Sequence, residues 1–152
     1  MSDSNLFQPD KLSIVDFRIQ QAQMENPAEF ELSHVVGHKV GNELNVGYNL
    51  ELKLAKADLV VKIQSDSGGH NAEEAMAKFH FVYIFKVENL DELTRVDGEG
   101  VEIDGRLANA IASVAYSTSR GVLLTRLQGT ALQDFVLPVI DPNELLTNLE
   151  HT

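Results

Sequence analysis

Two histidines, His34 and His38, come nearest in type and spacing to a metal site. On a helix, an H-x-x-x-H pair places both imidazoles on one face, an arrangement that suits zinc. The residues between them are two valines and a glycine, which favour extended chain. Four residues of extended chain separate side chains by about 13 Å, too far for one ion. The sequence therefore predicts no metal site, and no cofactor is expected.

Other polar clusters lack the arrangement that catalysis requires. Ser117–Gly121 is polar, but it lies within a helical pattern and contains no G-x-S-x-G elbow. Ser67–Gly69 and Gly98–Gly100 lack the glycine spacing and the lysine of a phosphate-binding loop. The acidic residues are scattered, so no acid–base pair is indicated. These patterns favour a binding module over an enzyme.

Composition limits the class of partner. The 152 residues include 23 acidic and 12 basic side chains, a formal net charge of −11. Such a field repels nucleic-acid phosphates and anionic lipid surfaces. The chain has no cysteine, its start lacks the pattern of a secretory signal, and its apolar runs are shorter than the roughly 20 residues that span a bilayer. We expect a cytoplasmic protein with no nucleic-acid partner and no membrane insertion.

The elements follow from hydrophobic periodicity. Residues 1–11 are interpreted as a polar tail and residues 12–149 as a single domain. Apolar residues at every second position predict four strands. Their marker residues are Val15, Phe17 and Ile19 in the first strand, Leu44 to Leu54 in the second, Leu59 to Ile63 in the third after a turn at Ala57-Asp58, and Ala75 to Val87 in the fourth.

Two helices are predicted after an acidic loop over Asp91–Gly105. From about Arg106 apolar residues recur at three- and four-residue steps, and Gly129 ends this pattern. Asp141 begins the second helix as its N-cap, followed by Pro142 at the first helical position. The apolar positions of the long helix are Leu107, Ala110, Ile111, Val114, Thr118, Val122 and Leu124.

Strands followed by helices predict an α+β fold: a four-stranded antiparallel sheet with a long helix and a short C-terminal helix on one face. Four strands about 4.8 Å apart form a slab roughly 15–20 Å wide, whereas one helix covers about 10 Å. Apolar sheet surface therefore remains after the long helix has packed. The C-terminal helix, another subunit or a bound ligand is expected to cover it.

Three local patterns carry a resemblance to the SecB-type protein-export chaperones over about residues 12–149. The first strand ends in Glu25-Asn26-Pro27, similar to that family's acidic-then-proline exit. The fourth strand, FHFVYIFKVENL, contains the pair Ile84-Phe85. The helix has Arg120-Gly121 at its middle, and a segment with Leu137-Pro138 leads into the closing helix.

The resemblance implies a homotetramer, a dimer of dimers with helices between sheets, that holds unfolded polypeptides in apolar grooves without ATP. In that family the groove walls come from the connection after the first strand and from the C-terminal helix. The matching residues here are Phe30, Leu32, Val35, Val36, Leu145, Leu146 and Leu149.

The resemblance also implies docking to the preprotein translocase motor through acidic residues near the end of the first strand. Glu25 matches one such position, whereas Gln21 stands where an aspartate is expected. Some relatives serve toxin–antitoxin systems, so a dedicated single-partner interaction protein is one alternative. A small-ligand-binding α+β domain with a buried pocket is another.

Overall fold

The computed structural model describes residues 7–98 and 100–150, without the side chains of Asp97 and residues 147–150. The four long strands form one antiparallel sheet in the order β1-β4-β3-β2, and β5 and β6 form a separate hairpin. Two helices pack on one face of the sheet, so the predicted α+β fold is confirmed. In chain order the elements are β1 (Leu12–Glu25), β2 (Gly37–Asn49), β3 (Leu54–Asp66), β4 (Met76–Val87), β5 (Thr94–Asp97), β6 (Gly100–Ile103), α1 (Gly105–Arg126) and α2 (Pro142–Glu150).

The core lies between the two central strands and α1. Odd-numbered residues of β3 and β4 are buried, since successive side chains of a strand point to opposite faces. Phe79, Phe81 and Phe85 lie on this face with Tyr83. The Tyr83 hydroxyl forms a 2.6 Å hydrogen bond with the hydroxyl of Ser119 on α1, and burial raises the pKa of Tyr83 to about 12. This contact fixes the helix over the centre of the sheet.

The turn between β2 and β3 lies at residues 50–53, so the predicted turn at Ala57-Asp58 is wrong. Lys53 adopts a positive φ of 57°, and the Asn49 side chain accepts a hydrogen bond from the Leu52 backbone N–H at 3.0 Å. Tyr48 pairs with Ala55 on the same face. Leu50, Leu52 and Leu54 continue the even-numbered apolar alternation of β2 through the turn, whereas the buried residues of β3 are odd-numbered, so the alternation hides the turn from sequence reasoning.

Strand β1 carries two irregularities that keep its apolar residues on one face. Its register against β4 shifts between Ile14 and Asp16 and again between Ile19 and Gln21. Each shift adds one residue to β1, as in a β-bulge. Ile14 therefore occupies the inner-face position predicted for Val15, which falls in the first bulge and is a corrected assignment. Without the shifts, strict alternation from Ile14 would turn Phe17 away from the core.

The segment predicted as an acidic loop contains regular structure. Leu90–Leu93 forms a short 3-10 helix, and β5 and β6 follow it as an antiparallel hairpin. Leu90 and Leu93 are buried and anchor the segment to the core. Val96 pairs with Val101 across the hairpin, and both are exposed. Strands of four residues are too short to show a periodic pattern that sequence reasoning can recognise.

Helix α1 begins at the Asp104 cap, whose carboxylate accepts a hydrogen bond from the Arg106 N–H at 2.8 Å. Its buried side chains form a row along the helix, with successive members four residues apart. Thr118 and Leu124, both predicted as apolar-face positions, lie outside this row and are exposed. No helix within the described residues is long and apolar enough to cross a membrane. The row consists of Leu107, Ile111, Ala115, Ser119 and Leu123.

The helix layer leaves one edge of the sheet open. Helix α1 packs on β3 and β4, and α2 packs on β2 and α1. On β1, Phe17 contacts the Tyr83 ring at a centroid distance of 4.9 Å, yet Ile14 and Phe17 remain 43% and 37% exposed. The predicted uncovered apolar surface is therefore located on β1, the edge strand.

We predict that Tyr83→Phe lowers the free energy of unfolding by about 1–3 kcal/mol, because it leaves the buried Ser119 hydroxyl without its partner. Urea denaturation measures this loss. The double variant Tyr83→Phe/Ser119→Ala is the control, and it should recover part of the stability since both polar groups are then absent. Strictly additive losses in the two single variants and the double variant would contradict the predicted contact.

Candidate functional site

The connection from β1 to β2, residues 26–36, is named the crossover, and a buried asparagine holds it. Asn71, 7% exposed, accepts a hydrogen bond from the Glu31 N–H at 3.2 Å and donates one to the Glu31 carbonyl at 3.1 Å. The His34 ring lies 3.2 Å from the same amide oxygen. The Val36 N–H donates to the Asp66 carbonyl at 2.8 Å. These bonds give the crossover a defined path in spite of its irregular backbone.

The carboxylate of Glu74 stabilises the position of Asn71 through hydrogen bonds to neighbouring residues. Glu74 accepts hydrogen bonds from the Ser65 and Ser67 hydroxyls, both at 2.7 Å, and from the Ser67 N–H at 3.0 Å. The Ser67 hydroxyl in turn accepts from the Asn71 N–H at 3.0 Å. The bonds from Ser65 and Ser67 hold the pKa of the Glu74 carboxyl below its usual value. Glu74 thus connects β3 to the crossover through Ser67 and Asn71.

Residues 127–141, named the return segment, lie next to the crossover. The Ala131 N–H donates to the Asn26 side-chain oxygen at 3.0 Å. The Phe135 ring meets the His38 ring edge-on, with centroids 5.4 Å apart. Burial lowers the pKa of His38, and the nearby Asp134 partly offsets this effect. The first strand's exit, the start of β2 and the return segment therefore meet at one end of the sheet.

Three exposed valines belong to the segments that meet at this junction. In the return segment Phe135 and Leu137 are buried, whereas Val136 is 56% exposed and Val139 is 83% exposed. Val36, at the end of the crossover, is 76% exposed. Because His38 contacts Phe135, the chain segments that carry Val36 and Val136 lie side by side. Val36, Val136 and Val139 are named the valine patch.

The crossover residues predicted as one groove wall differ in exposure. Phe30 is half-buried and packs against the core. Leu32 and Val35 are also half-buried, and Leu32 opens the single 3-10 turn that ends at His34. Val36 presents most of its side chain to solvent. The assignment of this wall to peptide binding stays a prediction, with Val36 as its most accessible member.

The predicted wall on α2 lies deeper. Leu145 is 2% exposed and belongs to the core, and Leu146 is half-buried against it. The side chain of Leu149 lies outside the described residues. The Asn109 side chain on α1 donates to the Asn143 side chain at 3.0 Å, which ties the start of α2 to α1. Among these leucines, Leu146 is the one with described, partly accessible surface.

Sequence reasoning missed Val136 and Val139, which are identified only once the burial of their neighbours is known. In the sequence, FVLPVI is an apolar run without alternating polar residues, so its periodicity does not distinguish buried from exposed positions. An extended chain on a core buries every second side chain, so burial of Phe135 and Leu137 directs Val136 outward. Pro138 lacks a backbone N–H and remains exposed, and Val139 follows it at the surface.

The H-x-x-x-H histidines contact different partners. His34 lies against Asn71 and has the His70 ring 5.8 Å away, whereas His38 contacts Phe135. Among the described residues no group of three or more His, Cys, Asp or Glu side chains is placed to hold a metal ion.

Glu25 lies at the end of β1, exposed, and pairs with Met76 of β4. Gln21, where the resemblance leads one to expect an aspartate, is half-buried and pairs with His80. Both residues face away from the helix layer. Glu25 therefore belongs to the open face of the sheet, and its role in motor docking stays a prediction.

We predict that Glu74→Gln weakens the acid-dependent loss of stability. The lowered folded-state pKa means that the ionised carboxylate stabilises the fold above the ordinary value of 4.5. This contribution disappears as pH falls through the folded-state value. Thermal unfolding between neutral and acid pH should show a flatter profile for Glu74→Gln, with lower stability at neutral pH. Glu73→Gln, at the exposed neighbour, is the matched control, and an identical change there would contradict the assignment.

By sequence, no family model matches the chain, and no curated protein matches it. By structure, its fold is similar to that of the Mycobacterium tuberculosis SecB-like chaperone Rv1957, solved in complex with a ChAD peptide from the Rv1956 HigA1 antitoxin. The TM-score is 0.61 at 14% identity, over 86% of this chain and 91% of that chain.

A protein of unknown function from Streptococcus agalactiae also aligns, at 12% identity over 84% of this chain and 97% of that chain. Its TM-score of 0.30 is too low to support an argument. The similarity to the mycobacterial chaperone, together with the four-stranded sheet and the helix pair, establishes that this chain has a SecB-like fold.

Proposed function

We propose that this protein is a non-catalytic, ATP-independent holdase that binds unfolded polypeptide segments in the cytoplasm. The observation that supports the proposal best is the valine patch on a SecB-like fold. Its three members are between 56% and 83% exposed, and two of them lie on the return segment beside a proline. Exposed apolar side chains that cluster on the surface of a protein mark interaction sites.

The energetics of the patch favour clients that bind at several points. Complete burial of one valine contributes about 1.5–3 kcal/mol. Association itself costs an estimated ~4–15 kcal/mol. A single patch is therefore marginal by itself. Several copies on one assembly hold a long unfolded chain far more strongly, because the second contact is intramolecular. Weak individual contacts also suit a protein that must release its client without ATP.

We further propose that the chain assembles into a homotetramer, a dimer of dimers. Two separate surfaces can supply the two contacts that such an assembly needs. One is the edge strand β1, where Ile14 and Phe17 are partly exposed. The other is the outer face of α1, where a Cβ placed on Gly121 would meet no atom within 4 Å and Leu124 is 42% exposed. A second helix would approach α1 closely at that glycine.

A dedicated chaperone for one antitoxin-like partner is the second candidate. It is favoured by the structural similarity to the mycobacterial chaperone, which was solved with an antitoxin peptide. The two candidates differ in selectivity. A holdase delays the aggregation of several unrelated unfolded proteins, whereas a dedicated partner protein binds one sequence and leaves the others to aggregate. A role in export, with Glu25 contacting the translocase motor, extends the first candidate.

We predict that Val136→Asp/Val139→Asp abolishes most of the protection of an unfolded substrate, because a client side chain can no longer be buried beside a charge. Light scattering of a chemically denatured protein, diluted with increasing amounts of each variant, measures the effect. We expect the concentration for half-protection to rise about tenfold, which corresponds to about 1.4 kcal/mol.

The matched control for this experiment is Val96→Asp/Val101→Asp. These valines are 73% and 50% exposed but lie on the β5–β6 hairpin. Protection that falls equally in both double variants would show that the valine patch is not the binding surface. Wild-type protein that fails to protect any of several unrelated substrates would refute the holdase proposal itself.

We predict that Phe17→Arg, on β1, and Leu124→Glu, on α1, each stop assembly at two chains, because each blocks one of the two contacts. The double variant should be a single chain of 16.8 kDa. Light scattering coupled to size-exclusion chromatography gives these masses. Leu52→Arg, at an exposed leucine in the β2–β3 turn, is the control and should leave the mass unchanged. A wild-type mass of one chain would refute the proposed tetramer.

A further inference from the structure

The open face of the sheet contains a basic trough of about 580 Å³. Lys39 of β2, Lys62 of β3 and Lys78 of β4 line it on adjacent strands, and Glu25 of β1 is the acidic side chain in its described lining. In the register, Lys62 lies directly opposite Lys78. Lys39 pairs with Gln64, two residues further along β3. Three of the chain's 12 basic residues thus converge on one surface of a protein whose net charge is −11.

Ion pairing within the chain does not account for these lysines. None of the three forms an ion pair or hydrogen bond with another described side chain, although Lys39 lies close enough to Glu74 to help lower its pKa. Like charges directly opposite each other on one face of a sheet destabilise it, as is the case for Lys62 and Lys78. The protein therefore keeps two lysines opposite each other, which is unfavourable, although its sequence contains more acidic than basic residues.

The shape of the trough indicates an extended ligand. It covers two rows of the sheet, two residues apart along the strands, which is about 7 Å. Carboxylates at positions i and i+2 of an extended peptide have the same spacing. Gly41, beside Lys62 on β2, leaves the trough open toward the sheet edge, and a Cβ there would meet nothing within 4 Å. Met76, 44% exposed, adds an apolar surface for side-chain methylene groups.

The chemistry of the trough favours carboxylates over phosphate. Strands β3 and β4 are paired on both sides, so their backbone N–H groups are used in the sheet and do not point into the trough. Its lining, as far as the chain is described, includes no arginine. Compact phosphate sites rely on backbone N–H groups, helix N-termini or bidentate arginine. A long polyanion such as nucleic acid would also meet the repulsion of the whole molecule.

We propose that the trough formed by Lys39, Lys62 and Lys78 docks an acidic segment of a partner protein in extended conformation, with carboxylates at alternate positions. This surface lies on the face of the sheet opposite the helices. The proposal therefore goes beyond the holdase function and does not depend on it: client protection and acidic-peptide binding are separate measurements on separate residues.

The test uses a fluorescent peptide with the pattern Glu-x-Glu-x-Glu and a neutral counterpart in which glutamine replaces each glutamate. Fluorescence anisotropy with the full chain should show binding of the acidic peptide only, weakening as salt rises. We expect Lys62→Gln/Lys78→Gln to reduce the affinity at least ~tenfold. The same variant should unfold at a higher temperature than wild type, since it removes the opposed charges. A loss of peptide binding in this variant would then not result from a loss of folded protein.

Lys56→Gln/Lys86→Gln is the matched control, because it removes two lysines from the same strands and the same face outside the trough. Its peptide affinity should change less than about twofold. Equal losses in the two double variants, or equal binding of the neutral peptide, would overturn the proposal. Displacement of the peptide by low concentrations of inorganic phosphate would overturn it in favour of a compact-anion site.

Discussion

The structure depends on a mismatch in width between the sheet and the helices that pack on it. Helix α1 occupies the centre through the Tyr83–Ser119 hydrogen bond, and α2 fills the space over β2. Strand β1 is left with Ile14 and Phe17 partly exposed. The proposed assembly would cover this edge, whereas the proposed client binding uses the valine patch at the end of the sheet.

The two faces of the sheet carry different kinds of residue, because successive side chains of each strand point to opposite faces. Toward the helices, alternate residues of β4 place Phe81, Tyr83 and Phe85 in the core. The intervening positions face solvent and include Lys78, opposite Lys62 on β3. The apolar face fixes the register, since a slip of one residue would expose the whole core face. The basic trough therefore has a rigid base: its lysines cannot be rearranged without unpacking the other side.

The sequence predicted the parts whose local signals agree with the global fold. The long apolar alternation predicts β4, the helical periodicity after Asp104 predicts α1, and the Asp141 cap predicts the start of α2. The turn at residues 50–53 was placed wrongly because the alternation continues through it, and Val15 was misassigned because a bulge changes parity without a glycine or proline to mark it. Of the valine patch, Val36 was predicted, whereas Val136 and Val139 needed the burial of their neighbours.

The trough illustrates what a single sequence cannot show. Lys39, Lys62 and Lys78 follow one another at intervals of 23 and 16 positions, and only the strand register makes them neighbours. The motor-docking prediction was based on Glu25 as an individual acidic residue. In the folded chain Glu25 borders the same trough as the three lysines. Three lysines and one glutamate leave the described lining of the trough with a formal excess of positive charge. A partner that docks in the trough would therefore meet a local excess of positive charge on a protein of net negative charge.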